Sequence, residues 1–322
     1  MIARIGSDTR FAAELLRKGE AVPIPTETVY GLAANAYDES AVLKIFRIKE
    51  RPSFDPLIVH VGAKADVGPL VHELPPGADR LMDEFWPGPL TLVLPKRTAV
   101  PDLVTSGLDT VGVRMPAHRM TLELLRDLAF PLAAPSANPF GYVSPTTAQH
   151  VADQLGERIP YILDGGACTV GVESTIIGWE KHGTTLEGAW YLYRPGGVSV
   201  EAIERVIGAL GTKAAQIRPI APGMLESHYA PRKPVYVGDI NGLMRAHIGL
   251  RIGSISFRSP FPVHKGEVLS PSGDLGQAAH RLFAALRSLD ASDCDVILAE
   301  RFPEEGLGRA INDRLRRASV SR

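Results

Sequence analysis

The run Leu90-Thr91-Leu92-Val93-Leu94 contains no charged residue and no turn former. An uninterrupted apolar run of this length, with β-branched residues at alternate positions, predicts a strand buried in a sheet. Leu57-Ile58-Val59 and Val111-Gly112-Val113 predict two more buried strands. Helical and strand patterns continue to alternate as far as Tyr191-Leu192-Tyr193, and this alternation predicts an α/β fold.

Two amphipathic helices are predicted before these strands. Residues 9–19 carry an apolar stripe and end at a glycine, which is a typical helix stop. A second helix begins at about Ser40 and has to stop near Glu50, because Arg51 precedes a proline and such a residue is forced out of helical geometry.

The helical and strand patterns divide the chain into three parts. A helix predicted over 200–210 ends the first part, and residues 212–233 then show no convincing periodicity and several prolines. A stretch of this length without regular structure is typical of a linker or a functional loop. The pattern restarts as a small βαβ-type unit, with strands at 235–237, 252–257 and 296–299 and helices at 274–289 and 307–318. We therefore predict a first domain over 1–211, a linker or lid over 212–233 and a C-terminal domain over 234–322.

Composition narrows the class of protein. The chain has 322 residues, 45% of them hydrophobic and 22% charged, and its formal net charge is -1. These values favour a globular protein and argue against a nucleic-acid coat or a polybasic membrane binder. Cys168 and Cys294 are too few and too far apart for a disulfide scaffold, which favours a reducing compartment. No signal-like or membrane-spanning apolar run is present in the sequence, so we expect the cytoplasm.

Residues 44–52 (KIFRIKERP) are the densest basic stretch of the first half of the chain. One interpretation is a solvated helix face, because Lys44, Arg47 and Arg51 fall roughly together at helical spacing. The other is that Lys49 and Arg51 converge on a polyphosphate, since the arginine fork and the mobile lysine charge hold phosphate in complementary ways. The sequence lacks G-x-x-x-x-G-K-[ST] and a complete G-x-G-x-x-G, so any use of ATP needs a different phosphate cradle.

Other polar residues interrupt or end apolar runs. Pro135-Ser136-Ala137-Asn138, followed by Ser144, is either a turn or a set of neutral hydrogen-bonding groups for a nucleotide. His60 ends an apolar strand, where a histidine is more often structural than a ligand. Arg114 also lies in an apolar strand and needs an anionic partner, because an unpaired buried charge costs several kcal/mol. A substrate carboxylate would serve as that partner.

Together these segments resemble the long form of the threonylcarbamoyl-AMP synthase family, which has a YrdC-like catalytic domain and a C-terminal accessory domain. Each motif alone is weakly specific, but in order they cover nearly the whole chain. In the catalytic region they are PTETVYGL (25–32), KERP (49–52), PLIVHV (56–61), WPGPLT (86–91), VRMP (113–116), PSAN (135–138), ESTI (173–176) and RPG (194–196). In the linker and tail they are PGM (222–224), HYAP (228–231) and GLGRAINDRL (306–315).

The resemblance implies a large YrdC-like twisted mixed sheet with helices and a small Rossmann-like α/β C-terminal domain. It implies a nucleotidyltransferase that converts ATP, bicarbonate or CO2 and L-threonine into threonylcarbamoyl-AMP and pyrophosphate. The product would serve N6-threonylcarbamoyladenosine formation at position 37 of tRNAs that read ANN codons, through downstream threonylcarbamoyl-transferase machinery. Direct tRNA binding would be weak, and no membrane partner is implied. Mg2+ is expected, bound mainly through the ATP phosphates rather than by a metal motif.

The resemblance also implies roles for individual residues. Lys49 and Arg51 would be catalytic, because they would neutralise phosphate charge. The residues around ATP would be Arg51, Asp55, Thr110, Ser136, Ser144, Arg194 and Tyr229. The residues around threonine would be Thr28, His60, Arg114, Ala134 and Ser174. Arg114 would take the threonine carboxylate, and Tyr229 would close over the site from the linker.

The chain departs from the family pattern at three places: Gly178 stands where an acidic residue is frequent, Pro139-Phe140-Gly141 replaces a serine-containing segment, and Ala221 replaces a serine. Two other functions compete with the synthase. A YrdC relative that uses carbamoyl phosphate in hydrogenase maturation should carry cysteine-rich zinc motifs and extra domains, which this sequence lacks. An RNA-binding module would place the basic residues of 44–52 along a phosphate backbone, bind more weakly as salt rises and need no threonine.

Overall fold

The structure is a computed structural model and describes residues 3–181, 188–212 and 228–320. The strands of its first part are β1 Arg4–Gly6, β2 Val22–Ile24, β3 Gly31–Asn35, β4 Ile58–His60, β5 Leu90–Pro95, β6 Thr110–Arg114, β7 Leu132–Ala133, β8 Tyr161–Leu163, β9 Thr175–Lys181, β10 Gly188–Arg194 and β11 Gly211–Thr212. The helices are α1 Thr9–Arg17, α2 Glu39–Lys49, α3 Ala78–Phe85, α4 Asp102–Thr105, α5 Arg119–Asp127, α6 Ala148–Leu155 and α7 Val200–Ile207. The remaining elements are β12 Val235–Val237, α8 Ile240–Ala246, β13 Ile252–Ser256, β14 Lys265–Val268, α9 Leu275–Ala291, β15 Val296–Ala299 and α10 Gly308–Ala318.

Among the described residues, nine strands form one large sheet in the order β11-β10-β9-β5-β6-β4-β7-β3-β2. The predicted strand at 90–94 is β5, which lies inside the sheet, antiparallel to β6 and parallel to β9. Strand β4 is parallel to β6 and antiparallel to β7, so the sheet is mixed, as predicted. β1 and β8 form a separate parallel pair.

The two faces of the large sheet differ in chemistry. Leu90, Leu92 and Leu94 are fully buried in the main hydrophobic core. The intervening Val93 faces the other way and packs with Ile58 of β4 in a much smaller apolar cluster. Ile58 lies opposite Gly112 of β6. Because side chains alternate along a strand, the second face also receives His60 and Arg114, two positions further along β4 and β6.

The predicted helices form, with one correction at an end. Asp8 caps α1 by accepting a hydrogen bond from Phe11 N at 3.0 Å. Helix α2 stops at Lys49, and Glu50 then adopts a left-handed φ of 54°, which agrees with the predicted stop before the proline. The prediction of helix to residue 210 was wrong, since α7 ends at Ile207 and Gly208 leaves helical geometry with φ of 83°.

The C-terminal part forms a four-stranded, wholly parallel sheet in the order β12-β15-β13-β14. Leu282, Phe283 and Leu286 of α9 are fully buried in the core of this part. The predicted strands and helices are confirmed, but β14 and α8 stand outside the prediction. None of the β14 residues is buried, so this edge strand has no apolar alternation to reveal it.

Parts of the predicted organisation lie outside the described residues. These are 213–227, which include most of the predicted linker, the PGM motif and Ala221. The three predicted ranges, 1–211, 212–233 and 234–322, therefore stay predictions. Cys168 and Cys294 are both buried and free. In the described parts of the chain, no helix has the length and apolar character needed to cross a membrane.

Gly178 of β9 has a steric reason to be glycine. A Cβ placed there would lie 2.3 Å from Cε2 of Tyr193. That ring packs on the cluster of the second face, and its hydroxyl donates to Glu180 Oε1 at 2.7 Å. The tyrosine ring therefore fills the space that a side chain at position 178 would need.

We predict that Gly178→Ala lowers the free energy of unfolding by about 1–3 kcal/mol, because the packed ring has to move. Gly112→Ala, in the same sheet, is the matched control, since a Cβ there meets nothing closer than Thr91 Cγ2 at 3.4 Å. It should change the free energy by less than about 1 kcal/mol. Urea denaturation measures both, and equal effects would contradict the steric explanation.

Candidate active site

A cleft opens on the second face of the large sheet, where β4 and β6 end. The predicted site residues that line it are Thr28, Arg51, His60, Arg114, Ala134, Ser136, Ser174, Arg194 and Tyr229. Its other lining residues are Thr26, Val29, Gly31, Ile58, Pro135, Glu173 and His228. The structure therefore brings members of both predicted sets, the nucleotide set and the threonine set, into one cleft.

Arg114, the last residue of β6, is buried and held by protein groups. Its Nη1 donates to Thr28 Oγ1 at 2.9 Å and its Nε donates to Gly88 O at 3.2 Å. Its Nη2 lies 2.6 Å from Oε1 of the buried Glu27. Glu27 is thus the anionic partner that this arginine needs, although the prediction named only a substrate carboxylate. The signal for it in the sequence is an acidic residue between Thr26 and Thr28, directly after a buried strand.

His60, the last residue of β4, is buried and uncharged. Burial, assisted by the positive charge of Arg114, lowers the pKa of His60 to about 3. Its Nδ1 lies 3.3 Å from Ile58 O, while the residue also lines the cleft. The structural interpretation and the ligand interpretation are therefore compatible, because one buried neutral imidazole supports the strand end and faces the cavity.

Ser174 joins the two predicted sets of residues. Its Oγ lies 2.8 Å from Thr91 Oγ1 and accepts a hydrogen bond from Arg194 Nη2 at 3.2 Å. The same Nη2 donates to Ser174 O at 2.9 Å. All three side chains are buried. Ser174, which is predicted to bind threonine, is therefore in direct contact with Arg194, which is predicted to bind ATP.

The basic segment 44–52 divides into an outer and an inner part. Lys44 is half-exposed and paired with Glu20 at 2.9 Å, and Arg47 is exposed. Lys49 and Arg51 are both buried. The solvated-face interpretation therefore holds for Lys44 and Arg47 but not for the buried Arg51, and the segment does not form one continuous basic face for a phosphate backbone. The convergence of Lys49 and Arg51 on a polyphosphate stays a prediction.

Arg51 faces the cleft with one side of its guanidinium fixed. Its Nε donates to Asp55 O at 3.1 Å and its Nη2 to Pro56 O at 2.9 Å, and Nη2 also lies 2.8 Å from Asp55 Oδ2. Asp55 is fully buried, and burial raises the pKa of its carboxyl group despite the charge of Arg51. Asp55 does not line the cleft, so its contact with the cavity runs through Arg51.

Lys49 lies behind the wall of the cleft rather than in it. Its Nζ donates to Ser136 O at 2.6 Å and to Asn138 O at 2.5 Å. Burial and the neighbouring charge of Arg51 lower the pKa of Lys49 well below its ordinary value. In this structure Lys49 fixes the loop that carries Ser136, and its catalytic role stays a prediction.

Two further predicted nucleotide residues lie beside the cleft. Thr110 lines a groove with Val93, Ile176 and Ile58, and Ile58 is shared with the cleft. Ser144 is fully buried, and its Oγ donates to Glu173 Oε1 at 2.5 Å.

The C-terminal part of the chain reaches the cleft through Arg314 of α10. This side chain is fully buried, and its Nε donates to Glu173 Oε2 at 2.8 Å. Its guanidinium also lies 5.0 Å from the ring centroid of Tyr229. Burial alone would raise the pKa of Glu173, but the charges of Arg314 and Arg194 outweigh it and hold that pKa below its usual value. Glu173 and Arg314 stand outside the predicted site set, although both lie in motifs that carry the resemblance.

The end of the predicted linker enters the cleft. His228 and Tyr229 are buried and line it, and Tyr229 has a left-handed φ of 62°. Ala230 N donates to Gly141 O at 2.9 Å, which fastens the chain beyond them. Burial, and then the charges of four cations led by Arg51, lower the pKa of His228 well below its ordinary value. Tyr229 therefore forms part of the cleft wall, and its closure over a bound ligand stays a prediction.

Comparison with known proteins shows which family the chain resembles. Residues 14–191 match the family model Sua5_yciO_yrdC, described as telomere recombination, and residues 198–320 match the model described as threonylcarbamoyl-AMP synthase, C-terminal domain. The chain is 44% identical to the threonylcarbamoyl-AMP synthase of Pyrococcus abyssi, over 96% of this chain and 93% of that protein. It is 42% identical to that of Bacillus subtilis, over 97% and 92%. The crystal structure of P. abyssi Sua5 complexed with L-threonine matches with a TM-score of 0.91 and 41% identity, over 99% of this chain and 98% of that one.

The mixed sheet, the parallel C-terminal sheet and the shared cleft define a two-domain α/β protein of the Sua5 type. At this identity over nearly the whole length, the chain belongs to the threonylcarbamoyl-AMP synthase family.

We predict that Arg314→Leu lowers the free energy of unfolding by about 3–5 kcal/mol, because it leaves the buried Glu173 without its ionic partner. Arg309→Leu is the matched control on the same helix. Arg309 also pairs with a carboxylate of the first part of the chain, Glu201, at 2.9 Å, but both side chains are more than a third exposed. Its loss should cost less than about 1 kcal/mol in urea unfolding. Comparable losses from the two variants would contradict the importance of the buried pair.

His60 should make stability depend on pH. In the unfolded chain its imidazole takes up a proton below about pH 6.5, whereas in the folded chain its pKa is about 3. The unfolded state therefore binds more protons between these values, and the free energy of unfolding falls as the pH falls. We predict that His60→Asn reduces the loss between pH 7 and pH 5 by about 1–2 kcal/mol. An equal loss in both proteins, measured by urea unfolding, would show that His60 is not responsible.

Proposed function

We propose that this chain joins ATP, bicarbonate or CO2 and L-threonine into threonylcarbamoyl-AMP and releases pyrophosphate. The observation that carries the proposal is one cleft that is lined both by the cations Arg51 and Arg194 and by Thr28, His60 and Arg114 of the predicted threonine set. Ser174 of the threonine set contacts Arg194 of the nucleotide set, so a nucleotide and an amino acid bound beside them would have their reacting atoms close together.

Threonine would bind beside Arg114 and His60. Arg114 Nη1 and Thr28 Oγ1 together offer a charge-assisted site for the threonine carboxylate, while Glu27 holds the guanidinium in place. Ile58 and Ala134 supply an apolar wall for the threonine methyl group. The P. abyssi relative crystallised with L-threonine supports the choice of amino acid.

ATP would bind toward Arg51 and Arg194. Both guanidiniums are buried and line the cleft, which suits the negative charge of a polyphosphate. The groove of Thr110, Val93 and Ile176 shares Ile58 with the cleft and would receive the less polar part of the nucleotide. Lys49 would act by holding the Ser136 loop as well as by its charge.

Mg2+ would enter with ATP and supply charge neutralisation on its phosphates. In the described ranges, no group of three or more His, Cys, Asp or Glu side chains could hold a metal ion. Asp55 is the carboxylate bound to Arg51, and its Oδ1 is buried with no hydrogen-bond partner among the described residues. The phosphate oxygens would provide the main share of the Mg2+ coordination.

The reaction would proceed by in-line displacement. The threonine amine first attacks the carbon of CO2 and loses a proton, which gives a carbamate. A carbamate oxygen then attacks the α-phosphorus of ATP, and the bond from that phosphorus to the bridging oxygen breaks, so pyrophosphate leaves with the electron pair. The buried arginines would stabilise the charge that develops on the phosphates, without a covalent enzyme intermediate.

The product is a mixed anhydride that water destroys, so the cleft has to exclude water. Tyr229 and His228 cover it from the linker side and are themselves buried. The adenylate would then pass to the machinery that makes N6-threonylcarbamoyladenosine at position 37 of tRNAs reading ANN codons. Such a role implies a cytoplasmic location and only weak direct tRNA binding.

The test is incubation with ATP, Mg2+, 14C-bicarbonate and each of threonine, serine and valine in turn. We predict threonine-dependent pyrophosphate release and a labelled adenylate, with serine discriminated by about 10- to 200-fold for the missing methyl group. Arg51→Ala should lower the rate by about two to three orders of magnitude. The exposed Arg47→Ala is its control and should retain the rate. Pyrophosphate release that ignores the amino acid, or the absence of labelled product, would refute the proposal.

A further inference from the structure

The loop 138–142 lies beside the cationic end of the cleft and is held by its own hydrogen bonds. Asn138 Nδ2 donates to Pro139 O at 2.8 Å and to Tyr142 O at 2.9 Å. Phe140 N donates to Lys49 O at 2.8 Å, and Gly141 O accepts from Ala230 N. The backbone that carries the Phe140 ring is therefore fixed both to the end of α2 and to the linker.

The Phe140 ring has a cation against it and a second ring at its edge. The guanidinium carbon of Arg51 lies 5.8 Å from the ring centroid. The ring of His228 lies 5.9 Å away at an interplanar angle of 86°. An arginine at this distance is attracted to the negative face of an aromatic ring, and edge-to-face packing is a preferred arrangement of two rings.

These contacts leave one part of Arg51 available to a ligand. Asp55 and Pro56 occupy Nε and Nη2, and Phe140 lies against the guanidinium. Among the described residues, none accepts a hydrogen bond from Nη1. Since Arg51 lines the cleft, Nη1 is the donor that remains to meet an anion there.

We propose that Phe140 is a positioning residue, which sets the direction of the Arg51 guanidinium so that Nη1 meets a phosphate of the bound nucleotide. The inference rests on the proposed function of the cleft. Asp55 and Pro56 hold one edge of the guanidinium but still allow it to tilt about that edge. The ring removes this freedom, and a ligand then meets a donor that is already oriented.

The effect of losing the ring face follows from the size of such contacts. Phe140→Leu keeps an apolar side chain but removes the aromatic face, so it should raise the KM for ATP by about three- to tenfold. The KM for threonine should stay within about twofold, because Arg114 and His60 do not contact the ring. Phe140→Tyr keeps the aromatic face, so its KM for ATP should stay at the wild-type value.

The chain offers a matched control in Phe11. The guanidinium carbon of Arg4 lies 5.7 Å from the Phe11 ring centroid, and the Tyr161 ring meets Phe11 edge-on at 5.0 Å, so the arrangement repeats that of Phe140. Neither Phe11 nor its partners line the cleft. Phe11→Leu should therefore leave both KM values unchanged.

The experiment measures pyrophosphate release against ATP and against threonine for wild type, Phe140→Leu, Phe140→Tyr and Phe11→Leu. Thermal unfolding of each variant identifies a loss of folded protein. The inference is overturned if Phe140→Leu keeps the wild-type KM for ATP. It is also overturned if the KM for ATP and the KM for threonine rise together in Phe140→Leu and are equally raised in Phe140→Tyr. If wild type itself lacks threonine-dependent activity, the proposed function fails instead. Titration with a fluorescent ATP analogue then decides the inference, which requires Phe140→Leu to bind it about three- to tenfold more weakly than wild type.

Discussion

A buried arginine needs an anion beside it, and three such pairs shape the walls of the cleft. Arg51 lies 2.8 Å from Asp55, Arg114 lies 2.6 Å from Glu27, and the third pair is Arg314 with Glu173. Each carboxylate fixes one side of a guanidinium, so the positive charges are oriented before any ligand arrives. Removing one partner would strand the other charge in the protein interior, where it costs several kcal/mol.

The third pair shows that both parts of the chain build the site. Arg314 comes from the last helix, while the loop that carries Glu173 also carries Ser174 into the cleft. Arg287 of α9 donates to Ser144 O at 3.2 Å, so a second arginine of the C-terminal part supports the same wall. The C-terminal part therefore belongs to the architecture of the cleft. His228 and Tyr229, near the end of the predicted linker, line the same cleft.

Much of the fold could be predicted from the sequence, because strong apolar runs and helix stops are local signals. The strand at 90–94 and the helix that ends before Pro52 are examples. The edge strand β14 has no buried residue and could not be found that way. The sequence predicts that Arg114 needs an anion. That this anion is Glu27 depends on a contact between residues 87 positions apart in the chain. The inward turn of Lys49 likewise depends on carbonyl groups at 136 and 138, which no local pattern reveals.

The central claim is that one cleft holds an amino acid at its Arg114 end and a polyphosphate at its Arg51 end. A crystal structure of the full chain with L-threonine and a non-hydrolysable ATP analogue tests this most directly. The predicted result is a threonine carboxylate within hydrogen-bonding distance of Arg114, and phosphate oxygens at Arg51 Nη1 and Arg194. Ligands bound in the opposite order, or outside this cleft, would contradict the claim.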